Sequence, residues 1–188
     1  MSEEPTRKFY LKEFKAISFA ISTYEDLNIL MSHIAEGLTR SFKIKGCTIM
    51  LLDDREHQLF KIASYGISEE YLNKGPIFLD DKYSPIVLGE PVFVEDMQSD
   101  IRIQYPEAAI KENICSMLSV PIKCRKEVIG IIRAYLSQKT KFHHEDIESF
   151  SVLAHQMGVV IENNGLRNFL NEVKSAMQNL PLRMLEGI

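Results

Sequence analysis

Two apolar segments in the second half of the chain, separated by a charged turn, predict the central hairpin of a β-sheet. Alternation divides the first between one face (Ser116, Leu118, Val120, Ile122) and the other (Cys115, Met117, Ser119). It divides the second between Val128, Gly130, Ile132, Ala134 and Leu136 on one face and Ile129, Ile131, Arg133 and Tyr135 on the other. Because strands that are apolar on both faces are covered on both, we expect a layer on each side of this hairpin. Gly130 indicates close approach of another backbone, expected to be a helix.

Helical spacing of apolar residues predicts two helices before the first strands. One runs from Thr6 to Ile21, and Thr23 is expected to cap the next, with Asp26 completing a capping box. The second helix has an apolar stripe formed by Leu27, Leu30, Met31, Ile34 and Leu38. A strand hairpin follows, made of CTIMLLD and HQLFKIASYG.

The segment between residues 68 and 113 is irregular and contains four of the seven prolines. Short helices are predicted at Glu69–Asn73, Tyr83–Leu88 and Pro106–Glu112, and short strands at Ile77–Leu79 and Val92–Glu95. A long semi-regular segment inside a compact domain is more often functional than a plain connection.

A long helix is predicted from about His144, with apolar residues that recur as far as Leu180 before Pro181 ends it. About 36 helical residues would span roughly 54 Å, and a domain of this size is only about 35–40 Å across. The helix therefore either leaves the domain with an apolar stripe that needs a partner, or breaks at Gly165 and folds back.

Composition excludes several classes of protein. Of 188 residues, 45% are apolar and 26% charged, and the net charge of −4 with no basic cluster argues against nucleic acid or an anionic membrane as partner. No apolar run approaches the length of a transmembrane helix. The N-terminus lacks the apolar core of a signal peptide, so we expect a cytoplasmic protein.

Few residues carry a recognisable chemical motif. The three cysteines are expected to be reduced, with Cys47 and Cys115 buried in strands and Cys124 exposed in a charged turn. The run His143-His144-Glu145-Asp146 would point its side chains about 100° apart on a helix, so we expect a helix start and no metal site. No catalytic triad or phosphate-binding glycine loop is present.

Arg133 lies in the middle of a predicted buried strand. A buried arginine requires a carboxylate or another anion beside it. The partner is either an internal acid, such as Asp96, Asp100 or a glutamate, or the anionic group of a ligand.

The order of these segments resembles the GAF domain family. The resemblance is carried by GEPVFVEDMQSDIR, then SMLSVPI, EVIGIIRAYL and FSVLAHQMGVVIENN, and covers Asp26 to Asn164. It implies an α/β (α+β) fold: one mainly antiparallel sheet of about six strands, with terminal helices on one face and a ligand-pocket segment on the other. It also implies a GAF domain over residues 24–164, between helical extensions at 1–23 and 165–188.

This sequence lacks the motifs that accompany the special chemistries known in other GAF proteins. Free methionine sulfoxide reductases carry reactive cysteines in the irregular segment, and Gly66 to Ile114 contains none. The NKFDE-like pattern of cyclic-nucleotide binding, a bilin-attaching Cys-His pair and a haem-ligating histidine in that segment are also missing. We therefore expect no catalytic residues and no enzyme activity, and the sequence names no cofactor.

The resemblance implies a sensory or regulatory module that binds a small ligand and forms a homodimer through its terminal helices. If Arg133 pairs with the ligand, the ligand is an organic anion. We expect it to contact residues of the hairpin and the irregular segment: Tyr83, Ser84, Asp96, Arg102, Tyr105, Met117, Ser119, Arg133 and Tyr135. A separate effector would receive the signal. The alternatives are a dimerisation domain whose pocket is filled by its own side chains, and a thiol-based redox sensor or reductase.

Overall fold

The computed structural model describes residues 11–23, 26–53, 55–78 and 84–178. The helices and strands follow in this order: α1 (Leu11–Thr23), α2 (Leu27–Phe42), β1 (Gly46–Asp53), β2 (Gln58–Tyr65), α3 (Glu69–Leu72), β3 (Ile77–Phe78), α4 (Pro85–Leu88), β4 (Val92–Val94), α5 (Pro106–Lys111), β5 (Ser116–Cys124), β6 (Glu127–Leu136) and α6 (His144–Gln178).

The strands form one antiparallel sheet in the order β3-β2-β1-β6-β5-β4. The β5–β6 hairpin lies in its middle, with β1 beside β6 and β4 beside β5. This confirms the predicted α/β fold with a mainly antiparallel sheet of about six strands.

Helices α2 and α6 cover one face of the sheet, α1 packs against both of them, and together they bury the larger hydrophobic core. From the hairpin this core takes Leu118, Val120, Ile122, Ile132 and Ala134, the alternate residues that the period of two assigned to one face. Phe42 of α2 lies 4.1 Å, centroid to centroid, from Phe150 of α6. Because each fully buried aliphatic or aromatic side chain contributes roughly 1.5–3 kcal/mol, this layer supplies much of the stability.

The short elements of the irregular segment cover the other face. Met117 and Tyr135 from the hairpin pack there against Tyr71, Met97, Ala109 and Ile114. The sheet is thus covered on both sides, as the two-sided apolar pattern predicts.

The cap of α2 differs from the prediction. Asp26, not Thr23, is the N-cap, and its Oδ1 accepts a hydrogen bond from the backbone N–H of Ile29 at 2.9 Å. Thr23 is the last residue of α1, and its hydroxyl donates to the carbonyl of Phe19. The predicted start of the first helix, at Thr6, lies outside the described residues.

The backbone near Gly130 is also different from the expected one. A Cβ at this position would collide with the carbonyl oxygen of Met50 and with Leu51, so the close neighbour is strand β1 and not a helix. The close approach of helix to sheet occurs instead at Gly158 of α6, where a Cβ would collide with the backbone of Lys123 in β5.

Helix α6 runs unbroken through Gly165 for 35 residues, so of the two alternatives the continuous helix is correct and the break at this glycine is wrong. Every described residue from 165 to 175 is exposed, and Leu166, Phe169, Leu170 and Val173 are exposed apolar residues. Pro181 and Leu180 lie outside the described residues.

Candidate functional site

A cavity of about 70 Å³ lies between the sheet and the irregular segment. Strands β4, β5 and β6 form its floor, α3 and the start of α4 form two sides, and the segment from 97 to 105 closes it. The lining residues are Leu59, Tyr71, Lys74, Ile77, Ser84, Pro85, Val92, Val94, Met97, Arg102, Ile103, Gln104, Tyr105, Met117, Ser119 and Arg133.

Six of the nine residues predicted to bind a ligand line this cavity: Ser84, Arg102, Tyr105, Met117, Ser119 and Arg133. The alternation along the hairpin places the last three on the correct face. Tyr105 also closes the cavity, since its hydroxyl donates to the carbonyl of Pro76 at 2.8 Å. Tyr83 lies outside the described residues.

Asp96 and Tyr135 do not line the cavity. Lys139 donates a hydrogen bond to the Asp96 carboxylate, and this bond, with others from Ser99 and the Gln98 backbone, lowers the pKa of Asp96 to about 2. Tyr135 is buried on the same face of the sheet as the cavity, with its hydroxyl 3.2 Å from Thr48 Oγ1 and its ring edge-on to Tyr71.

Two polar side chains on the cavity floor have buried atoms without partners. Ser119 and Arg133 are opposite each other in the β5–β6 register. Ser119 is only 1% exposed, and its Oγ and the Nε of Arg133 are buried without a hydrogen-bond partner among the described residues. Because an unsatisfied buried polar group costs about 1–3 kcal/mol, two such groups at one place are unusual.

The acids proposed as internal partners of Arg133 are engaged elsewhere. Asp96 pairs with Lys139, and Asp100 pairs with Arg102, whose Nε donates to Asp100 Oδ1 at 2.8 Å. None of the ion pairs found between described residues involves Arg133. Its positive charge is thus uncompensated within this part of the chain.

Lys74, Tyr71, Met97 and Gln104 line the cavity but were not predicted as site residues. Lys74 Nζ lies 3.9 Å from the centroid of the Tyr71 ring and donates to the Tyr71 carbonyl at 3.1 Å. Burial, and then the nearby positive charge of Arg133, lowers the pKa of Lys74 to about 8. No periodic signal marks Lys74, because it follows a helix of only four residues.

The thiols lie outside the cavity. Cys47 is fully buried and Cys115 is partly buried. Cys124, which we expected to be exposed, is also buried: its thiol donates to Glu162 of α6 at 2.7 Å, and this bond followed by burial raises the pKa of Cys124. Cys115, which we expected to be buried in a strand, is half-buried and lies one residue before β5. Cys124 is the last residue of β5, which puts the two cysteines roughly 30 Å apart at about 3.3 Å per residue.

The described residues contain no group of three or more histidine, cysteine, aspartate or glutamate side chains placed to hold a metal ion. Within the same residues, no helix has both the length and the apolar composition needed to cross a membrane.

Solved structures with the same fold come from several kinds of protein. The GAF domain of a phosphoenolpyruvate-protein phosphotransferase from Acinetobacter is 23% identical, with a TM-score of 0.70 over 83% of this chain and 94% of that one. A segment of a methyl-accepting chemotaxis protein is 22% identical, with a TM-score of 0.63 over 80% of this chain and 97% of its own. A free methionine-R-sulfoxide reductase from Neisseria meningitidis, solved with its substrate, is 16% identical, with a TM-score of 0.69 over 89% and 99%.

At these identities the likeness to solved structures establishes the fold alone. No curated protein matches the chain. The profile of the GAF domain family, however, matches residues 25–162, most of the sequence. With the antiparallel sheet, the helical layer and the cavity on the opposite face, this match shows that the chain belongs to the GAF domain family.

Proposed function

We propose that this protein is a non-enzymatic sensory module that binds a small organic anion in the cavity above β5 and β6. The observation that carries the proposal is the pair of unpartnered buried atoms, Ser119 Oγ and Arg133 Nε, on the cavity floor. The proposal includes a cytoplasmic location, a separate effector, and the predicted division into a GAF domain (24–164) and two helical extensions (1–23 and 165–188).

A ligand anion would satisfy the groups that the protein leaves unpaired. Arg133 is half-buried and its Nε is fully buried, so its partly dehydrated guanidinium gains from a counter-charge and hydrogen-bond acceptors. A carboxylate supplies both in the geometry that arginine prefers. The hydroxyl of Ser119, directly across the strand pair, can donate to the same anion. Around these groups the lining is mainly apolar, as in most small-molecule sites.

The position of the thiols supports the non-enzymatic version of the proposal. A cysteine-dependent reductase needs a thiol in contact with its substrate, and none of the three cysteines lines the cavity. The raised pKa of Cys124 and of the buried Cys47 also disfavours the reactive thiolate form of both.

The small volume of the cavity favours one alternative, a pure dimerisation domain whose pocket is filled by its own side chains. About 70 Å³ has room for only about five water-sized groups, at roughly 10–15 Å³ each. The two versions differ in what they expect from Arg133: a filled pocket leaves its half-buried guanidinium without an anionic partner, whereas a ligand-binding pocket supplies one.

Thermal melts with small carboxylates test the proposal. A ligand present at 100 times its Kd stabilises the folded state by about 2.7 kcal/mol. For a protein of this size that corresponds to a rise in Tm of about 5–10 °C. We expect such a rise with at least one of formate, acetate, glycolate or malonate at constant ionic strength, and none with matched chloride. If no anion raises the Tm at millimolar concentration, the ligand-binding proposal is wrong.

The terminal helices are proposed to join two copies of the chain. In α6, Leu166, Phe169, Leu170 and Val173 recur at i, i+3, i+4 and i+7, the spacing of one apolar stripe on a helix. Leu170 is 64% exposed, and α1 adds the exposed Leu11 and Phe19. A second copy that presents the same stripe would cover it, as in a coiled coil.

Truncation after Asn164 should convert the dimer to a monomer, because it removes the exposed part of this stripe and leaves the residues that pack on the sheet. Light scattering at tens of micromolar measures the change, and the circular dichroism spectrum serves as the control for folding. A monomeric full-length chain at that concentration would disprove the dimer.

A further inference from the structure

Three cationic side chains line the cavity: Lys74, Arg102 and Arg133. None of the lining residues is acidic. Asp100 compensates the charge of Arg102 through two hydrogen bonds to its guanidinium. Lys74 and Arg133 belong to none of the ion pairs formed among the described residues. Among the described residues, neither of these two cations therefore has an acidic side chain within 4 Å.

Both cations belong to one connected set of side chains. Lys74 Nζ lies over the face of the Tyr71 ring, and this ring stands edge-on to Tyr135, two residues from Arg133 in β6. Repulsion from Arg133 contributes to the low pKa of Lys74, as expected for like charges in a partly dehydrated site. One negative charge can balance either cation but leaves the other unpaired. Two negative charges on one molecule balance both.

We propose that Lys74 and Arg133 together bind a small dianion, with Ser119 donating a hydrogen bond to it. This proposal rests on the proposed function, because it assigns the class of ligand at the same cavity. The volume of about 70 Å³ restricts the anion to the size of a short dicarboxylate or of a phosphate group. These two sources share the same charge and oxygen acceptors, so the test includes both.

Charge-matched pairs of ligands separate a dianion site from a general anion site. Malonate is compared with its half-amide, malonamate, and methyl phosphate with dimethyl phosphate, by isothermal titration calorimetry of the full chain at pH 7.5. We expect one of the two dianions to bind at least tenfold more tightly than its monoanionic partner. The pair that shows this difference identifies the ligand as a dicarboxylate or a phosphate.

Lys74→Gln should remove the preference for the dianion, so that each dianion and its monoanionic partner bind with similar affinity. Lys74→Arg, which keeps the charge, should retain the preference and serves as the second variant if glutamine disturbs the fold. A second, outer cleft adjoins the cavity, lies between α3 and α5, and shares Lys74 and Tyr105 with it. Lys111→Gln is the matched control, because Lys111 is exposed in this outer cleft but does not line the cavity.

The dependence of binding on pH gives a readout that a structural role of Lys74 would not produce. Free Lys74 loses its proton above about pH 8, so the affinity of the parent protein for the dianion should fall toward pH 9. In Lys74→Gln it should stay flat over the same range. The other charged or titratable groups near Lys74 are, in the cavity, Arg102, Arg133 and Tyr71 and, in the outer cleft, Tyr105, Glu70, Glu107, Lys111 and Glu112.

Each outcome separates this proposal from the proposed function. Equal affinity for monoanions and dianions, or a Lys74→Gln protein that keeps the preference and the pH dependence, overturns the dianion proposal but leaves an anion site. If neither member of either pair binds and no carboxylate raises the Tm, the proposed function itself fails.

Discussion

Replacement of Arg133 by methionine is expected to abolish anion binding without unfolding the protein. Methionine has a similar length and fills the space on the cavity floor, but it carries no charge and cannot donate to a carboxylate. Because a buried charge pair that loses one partner costs about 3–5 kcal/mol, the affinity should fall at least a hundredfold, beyond detection in the thermal melts. In the absence of ligand the Tm should be unchanged or higher, because no acid among the described residues pairs with Arg133.

Arg55→Met is the control for this experiment, since it removes one positive charge from an exposed turn. This variant should bind anions as the parent protein does. The opposite result for Arg133→Met would be a loss of about 3–5 kcal/mol of stability together with no anion-dependent shift in the parent protein. That result would show that Arg133 pairs with an internal acid and would end the assignment of the cavity as an anion site.

Gly158→Ala should destabilise the fold more than any other single added methyl group on α6. A Cβ at this position would lie 2.7 Å from the carbonyl carbon of Lys123 and closer still to its oxygen, and backbone atoms cannot move aside as a flexible side chain can. The helix would have to lift from β5, which loosens the packing of Leu153 and Met157. We expect a loss of about 3 kcal/mol, or roughly 6–12 °C in Tm.

Gly165→Ala provides a matched control in the same helix. No atom lies within 4 Å of a Cβ built at Gly165, so the added methyl group meets open space. Alanine in a helix interior is favoured over glycine by about 0.5–1 kcal/mol, and this variant should be slightly more stable than the parent. Equal effects of the two substitutions would mean that α6 does not press on β5 at Gly158.

Local periodicity was sufficient to place much of the sheet and three residues of the candidate site. Side chains in a strand point alternately to opposite faces, so the apolar pattern of β5 and β6 determined that Leu118 and Ile132 face the helices. The same alternation placed Met117, Ser119 and Arg133 over the cavity. Turn-forming residues and short apolar runs likewise located the small elements of the irregular segment to within a few residues.

Local signals failed where two positions offered the same chemistry or where a residue was judged without its surroundings. Thr23 and Asp26 are both good capping residues, and only the path of the chain between α1 and α2 selects Asp26. Gly165 resembles a helix break, but its modest cost is tolerated inside a long helix. Cys124 adjoins a charged turn at the end of β5, but α6 passes over it and brings Glu162, 38 residues away, to its thiol.

Tertiary structure decided which charged side chains line the cavity and which of them have an ion-pair partner. Whether Arg133 has an acidic partner depends on where Asp96 and Asp100 point, and each is paired with a basic residue outside the hairpin. Lys74 joins the site because the irregular segment folds back over β5 and β6, which are distant from it in sequence. The periodicity of apolar and polar residues along a chain predicts which face a side chain occupies, because this follows from the geometry of one strand or helix. The neighbours across that face come from other elements, and only the folded chain brings them together.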